Sequence, residues 1–184
     1  DRRHEARMLL DEEDYSAILS RCEPYLTLRV EDGLGVYVDA AVMRAIALKA
    51  SGGEYWADKE TKKAFNVLHP GIVAYFDSGS RFLDSAVLEM LCGKKPAGAL
   101  NPWDDQHGWH GSVFGERTAG HVGSGIINEH EIKARDKFIR GVLAWLAGDN
   151  EAARVALNAC LAAEAKCSYE YHVAQWLLEK KLKP

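Results

Sequence analysis

Apolar residues recur at three- and four-residue intervals along most of this chain, and no stretch alternates apolar with polar side chains over the length of a strand. That period fits a helix, which turns once in about 3.6 residues, and not a strand, whose side chains repeat every second position. Arg3 to about Leu28 reads as helix, with Ala6, Leu9 and Leu10 leading into an acidic turn at Asp11 to Asp14, and Ile18, Leu19 and Cys22 following. Pro24 ends or kinks it, because proline lacks the backbone donor and clashes with the preceding turn. A second helix from Val36 to Ala50 carries Val36, Ala40, Met43, Ala47 and Ala50 on one stripe and Tyr37, Ala41 and Leu48 on another edge. Two apolar edges predict burial on more than one side, and Ser51-Gly52-Gly53 stops the helix.

Asp58 is positioned to cap a third helix bearing Phe65, Leu68, Ile72, Tyr75 and Phe76, with a kink expected at His69-Pro70. Ser78 to Ser80 offer a cap for a fourth, with Phe82, Leu83, Val87, Leu88 and Leu91, closed by Gly93. Between residues 93 and 127 the period is lost. Glycine stands at 93, 98, 108, 111, 115, 120, 123 and 125, with Pro96 and Pro102 among them, and a loop of that length is uncommon in a compact domain and is usually functional or disordered. Helical signals return with Asn128 and Glu131, spaced as a capping box, ahead of Ile132, Ile139, Val142, Leu143 and Leu146. Gly148-Asp149-Asn150 forms a tight turn into an alanine-rich helix from Glu151 to about Glu164. Ser168 caps a last helix whose Tyr169, His172, Val173, Trp176 and Leu177 keep amphipathic spacing. About seven amphipathic helices give an all-α fold of antiparallel helical hairpins. One helical domain is expected over residues 1–184: N-terminal helices 3–92, a glycine-rich loop insertion 93–127, and C-terminal helices 128–182.

The chain of 184 residues is long enough to bury a core without staples, and its 47% hydrophobic and 27% charged content is that of a globular protein. A formal net charge of −4 argues against nucleic acid, whose binders present a basic face to the phosphates. The tail Lys180-Lys181-Leu182-Lys183 is read as positive charge at a helix C-terminus, and Asp11 to Asp14 as a solvated turn or a patch for a basic partner. No apolar run is long enough to span a bilayer, so no membrane association is expected. Cys22, Cys92, Cys160 and Cys167 lack metal or redox spacing and read as reduced, packed thiols, although four cysteines also allow two disulfides. A cytoplasmic location follows from the reduced reading.

Residues 141–160 read G-V-L-A-W-L-A-G-D-N-E-A-A-R-V-A-L-N-A-C. This stretch resembles the core of a tetratricopeptide repeat, in which two antiparallel helices meet through a small turn and small residues let them approach. Gly141, Gly148, Ala153 and Leu157 fall where the motif wants glycine, a turn glycine, alanine and a large apolar residue; Cys160 stands where alanine is usual. Ala6 to Cys22, with Glu13-Asp14-Tyr15 at the turn, is a looser echo whose small residues are out of register. The resemblance covers about one repeat well and a second poorly, against the three or so a stable array needs. It implies tetratricopeptide-like hairpins, a scaffold for proteins or peptides, and no attached chemistry.

Reactive side chains concentrate inside the glycine-rich segment, as Trp103, Asp104, Asp105, His107, Trp109 and His110, followed by Glu116, Arg117 and His121. Trp103 and Trp109 either pin the loop onto the helices or await a partner, since aromatic residues flanked by charge are the usual anchors of interfaces. Histidine and aspartate are also ligands for zinc and related ions, but no established metal signature is present; Glu129-His130-Glu131 lacks the second histidine of H-E-x-x-H. Neither Gly111-Ser112-Val113 nor Gly123-Ser124-Gly125 forms a nucleophile elbow. The expectation is therefore a non-catalytic helical scaffold, with no cofactor, binding another protein through Trp103, Asp104, Asp105, His107, Trp109, His110, Arg117 and His121. An adaptor or a bacterial toxin-immunity protein fits, the latter because acidic surface suits a basic nuclease. The alternative is a metal-dependent hydrolase, with His107, His110 and His121 as ligands and Asp104, Asp105 or Glu116 assisting. In a third reading the loop only closes a groove between the helical halves.

Overall fold

The computed structural model describes residues 2–27, 34–53, 129–164, 166 and 168–183. Every regular element among them is helical: α1 (Arg2–Asp11), α2 (Tyr15–Cys22), α3 (Leu34–Ala50), α4 (Glu129–Leu146), α5 (Asn150–Ala162) and α6 (Tyr169–Trp176). A 3₁₀ turn at Glu23–Thr27 follows α2, and α6 runs on into a π-helical turn at Leu177–Lys181. The helices expected between residues 58 and 92, the glycine-rich loop 93–127 and the cap Asn128 lie outside the described residues.

The first helical segment proves to be two helices. Glu13 takes φ 57°, in the left-handed region, which reverses the chain. The Asp14 amide then donates to Leu9 O at 2.9 Å, and the Asp14 carboxylate accepts from Ala17 N at 3.0 Å. The first bond satisfies a carbonyl left open at the end of α1, and the second an amide left open at the start of α2. The turn between α4 and α5 is built the same way, residue for residue. Gly148 takes φ 86°, the Asp149 amide donates to Ala144 O at 2.9 Å, and the Asp149 carboxylate accepts from Ala152 N at 3.0 Å. Glycine adopts the left-handed conformation without steric cost, whereas Glu13 adopts it against a penalty of about 1–2 kcal/mol.

Within the second hairpin α4 and α5 make the most extensive helix pair of the described structure. Gly141 is the reason they approach so closely: a Cβ there would lie 2.6 Å from Leu157 Cγ and 3.2 Å from the Leu157 backbone nitrogen. Phe138, Val142, Leu146, Ala153 and Leu157 of these two helices are buried in the core. In the N-terminal half, α2 packs on α3, which buries Ile18, Cys22, Met43 and Ile46.

Two links join α3 to α4 and fix their direction. Near the start of each helix, Arg135 Nη1 of α4 reaches Asp39 Oδ1 of α3 at 2.7 Å. Near the end of each, the Lys49 ammonium donates to the carbonyls of Trp145 and, at 3.2 Å, Leu146, and lies 4.8 Å from the Trp145 ring centroid. Helices α3 and α4 therefore run parallel, with a cation placed on carbonyls at the C-terminus of α4. Helix α6 packs on both α4 and α5, and α1 packs on α6. A stacked array touches only its sequence neighbours; here the first described helix meets the last.

Candidate functional site

Trp103, Asp104, Asp105, His107, Trp109, His110, Arg117 and His121 all lie outside the described residues, as do Glu116 and the serines of the loop. The described helices hold a different constellation, one that sequence reasoning missed. Asp39, Arg135 and Glu170 are 1%, 5% and 2% exposed and come from three helices. Arg135 Nη1 stands 2.7 Å from Asp39 Oδ1 and 3.8 Å from Glu170 Oε1, so one guanidinium faces two carboxylates. Tyr169, 2% exposed, completes the group. Its ring meets Phe138 edge-on at 5.8 Å, and its hydroxyl donates to Asp39.

Placement of these groups follows from local structure. Glu170 sits in the first turn of α6, just after Ser168, whose Oγ accepts from Tyr171 N at 3.3 Å and caps the helix as the sequence predicts. Burial first, and then the nearby Asp39 charge, push the Glu170 carboxyl up to about 7, against Arg135, a backbone amide and the Ser168 hydroxyl, which pull it down. The Tyr169 phenol is held well above its usual range, first by burial and then by the charges of Asp39 and Glu170. A legible signal existed in part. Asp39 interrupts the most apolar of the described helices and Arg135 follows Ala134 on a buried stripe; a charge inside an apolar run needs a partner. Glu170 gave no such sign, because an acid in a first turn is ordinary.

His172 lies on the packed side of α6 as expected, but His4 does more than occupy a chain end. The two imidazole rings stand 4.2 Å apart, and His172 Nε2 is 3.0 Å from Lys166 O. Beside them Arg7 bridges Asp11 at 2.7 Å and Glu179 at 2.6 Å, tying α1 to the turn after α6. Burial holds the His172 imidazole below its ordinary value, and the charges of His4 and Arg7 add to this, against the Lys166 carbonyl, which favours the protonated ring. Cys22 and Cys160 are free and buried, and burial pushes both thiols up to about 12, so neither forms a thiolate near neutrality.

Among the described residues no three histidine, cysteine or acidic side chains converge as a metal-binding group, and no helix is long and apolar enough to cross a membrane. Comparison with protein-family models, with curated proteins and with solved structures found no match to this chain.

Proposed function

We propose that this protein is a non-catalytic helical scaffold, built from tetratricopeptide-like hairpins, that binds another protein. The observation that carries the reading is the pair of hairpins α1–α2 and α4–α5, which share one turn construction, together with the Gly141–Leu157 approach that seats the second. Hairpins of this kind present helix faces and turn tips to partners and need no reactive group. The charged groups Asp39, Arg135 and Glu170 are sealed from water, where they serve packing and not substrate. At the tip of the first hairpin Asp11, Glu12, Glu13 and Asp14 are all exposed, which supports a basic partner and fits an adaptor or toxin-immunity role. The free buried thiols support a cytoplasmic setting.

In this reading the contact segment is the tryptophan-bearing stretch, with Trp103 and Trp109 as anchors. The test is affinity capture with the wild-type chain and with the double variant Trp103→Ala, Trp109→Ala. One partner retained by the first and lost by the second, with helical content unchanged and retention weakened by added salt, is the expected result. Stoichiometric metal in the untagged protein, lost on His107→Ala and His110→Ala substitution, would overturn the reading in favour of a metal-dependent hydrolase.

A further inference from the structure

We propose that α1 is an acid-released helix: the His4–His172 pair closes it on α6 at neutral pH, and protonation of the two imidazoles opens it while the rest of the fold stays packed. Helix α1 is built for such a release. It has 10 residues, fewer than an isolated helix needs to persist in water, and it meets α6 more extensively than it meets α2. Among its described side chains only Ala6 and Leu10 are buried, so its hold is shallow and losing the seat on α6 also melts it.

At that seat the imidazole rings of His4 and His172 stand 4.2 Å apart. His172 Nε2 donates to the Lys166 carbonyl at 3.0 Å, so the next proton goes to Nδ1, for which the described residues provide no acceptor. Imidazole gains its charge between neutral and mildly acidic pH, and two such charges at this spacing repel. Burial, then the charges of His4 and Arg7, oppose protonation of His172 while α1 is docked. The other groups around α1 and α6 are engaged elsewhere. Arg7 bridges Asp11 of α1 and Glu179 beyond α6 at 2.7 and 2.6 Å, and Arg21 of α2 holds Glu5 at 2.8 Å. The Tyr171 ring meets His172 edge-on at 5.5 Å, and Lys181 lies 5.3 Å over the Trp176 ring. Cys160 of α5 and Arg135 of α4, with Asp39 of α3, act on the buried Tyr169 and Glu170. Glu170 responds in the opposite sense, since its carboxyl is pushed up to about 7 and acid favours its docked form.

Docked, His172 is held below its ordinary 6.5, so the opened form binds the extra proton. Opening therefore becomes easier as pH falls through 6.5, by up to about tenfold per pH unit, and levels off below the docked value. Amide hydrogen exchange at Met8, Leu9 and Leu10 reads this opening. With the intrinsic base dependence removed, wild-type protein should show a rise of roughly tenfold in all between about pH 8 and about pH 5. His172→Gln should be flat, and His4→Gln should keep a smaller rise, that due to burial and Arg7. Glu170 is present in all three proteins, so its contribution cancels in the comparison. The amides of Val142 and Leu143 in α4 should not share the rise. A flat wild-type profile, or a rise as large in either variant as in wild type, would overturn the proposal. So would a rise shared by α4, because acid would then be loosening the whole molecule. His4 is exposed, so its variant decides the question if His172→Gln fails to fold.

Discussion

At the scale of single residues, two glycines of the second hairpin are needed for different reasons, and substitution separates them. Gly141 is needed for space. An alanine methyl there meets Leu157 at 2.6 Å, with backbone also close, so Gly141→Ala should cost about 1–3 kcal/mol by forcing the two helices apart. Gly148 is needed for conformation. Nothing lies within 4 Å of a Cβ placed on it, but its φ is 86°, and Gly148→Ala should cost only about 1 kcal/mol, all of it in the backbone. Urea unfolding of the two variants checks both values. Equal losses, or a larger loss at Gly148, would contradict the account of the close approach. Gly141 and Leu157 were legible from the sequence as a small and a large apolar residue on neighbouring helices; their contact rests only on local helix geometry and one short turn.

Capping decides how the elements begin. The Asp14 and Asp149 side chains each accept an amide at 3.0 Å, and both turns continue with the same backbone bonds. Asp14→Ala and Asp149→Ala should each destabilise by about 1 kcal/mol. The caps belong to hairpins with no shared partner, so the double variant should lose close to the sum, which thermal melts of the three proteins can test. Both turns were legible in the sequence, the second more plainly than the first. Gly148-Asp149-Asn150 announces itself by its glycine, whereas the turn at Glu13-Asp14-Tyr15 was marked only by its acidic run, because Glu13 takes the same left-handed conformation with a residue that does not favour it. Bonds from Glu12 N to Met8 O and from Asp14 N to Leu9 O at 2.9 Å hold it there.

At the scale of the molecule, the Asp39–Arg135 pair joins two halves that are distant in sequence. Arg135→Met removes the cation and leaves two buried acids facing each other, so it should cost about 3–5 kcal/mol, and a loss below 1 kcal/mol in denaturant unfolding would show that the pair does not bind the halves together. The contact of α1 with α6 has its own pH dependence. His172 titrates below its ordinary value when folded, so its contribution is present above that value and is lost as pH falls through and below it. Wild-type Tm should therefore drop further than that of His172→Gln between neutral and mildly acidic pH, and parallel melts would argue against the pairing with His4. The sequence by itself determined the helical class, the stop after Ala50, the Gly148 turn, the Ser168 cap and the packed side of α6. Each of these depends on backbone groups and side chains within one or two turns of each other, where residue type and spacing are enough. Only the tertiary structure decided the burial of Asp39, Arg135 and Glu170 together and the packing of the first described helix against the last. Those features depend on which residues meet across long separations in the chain, and no local period encodes that.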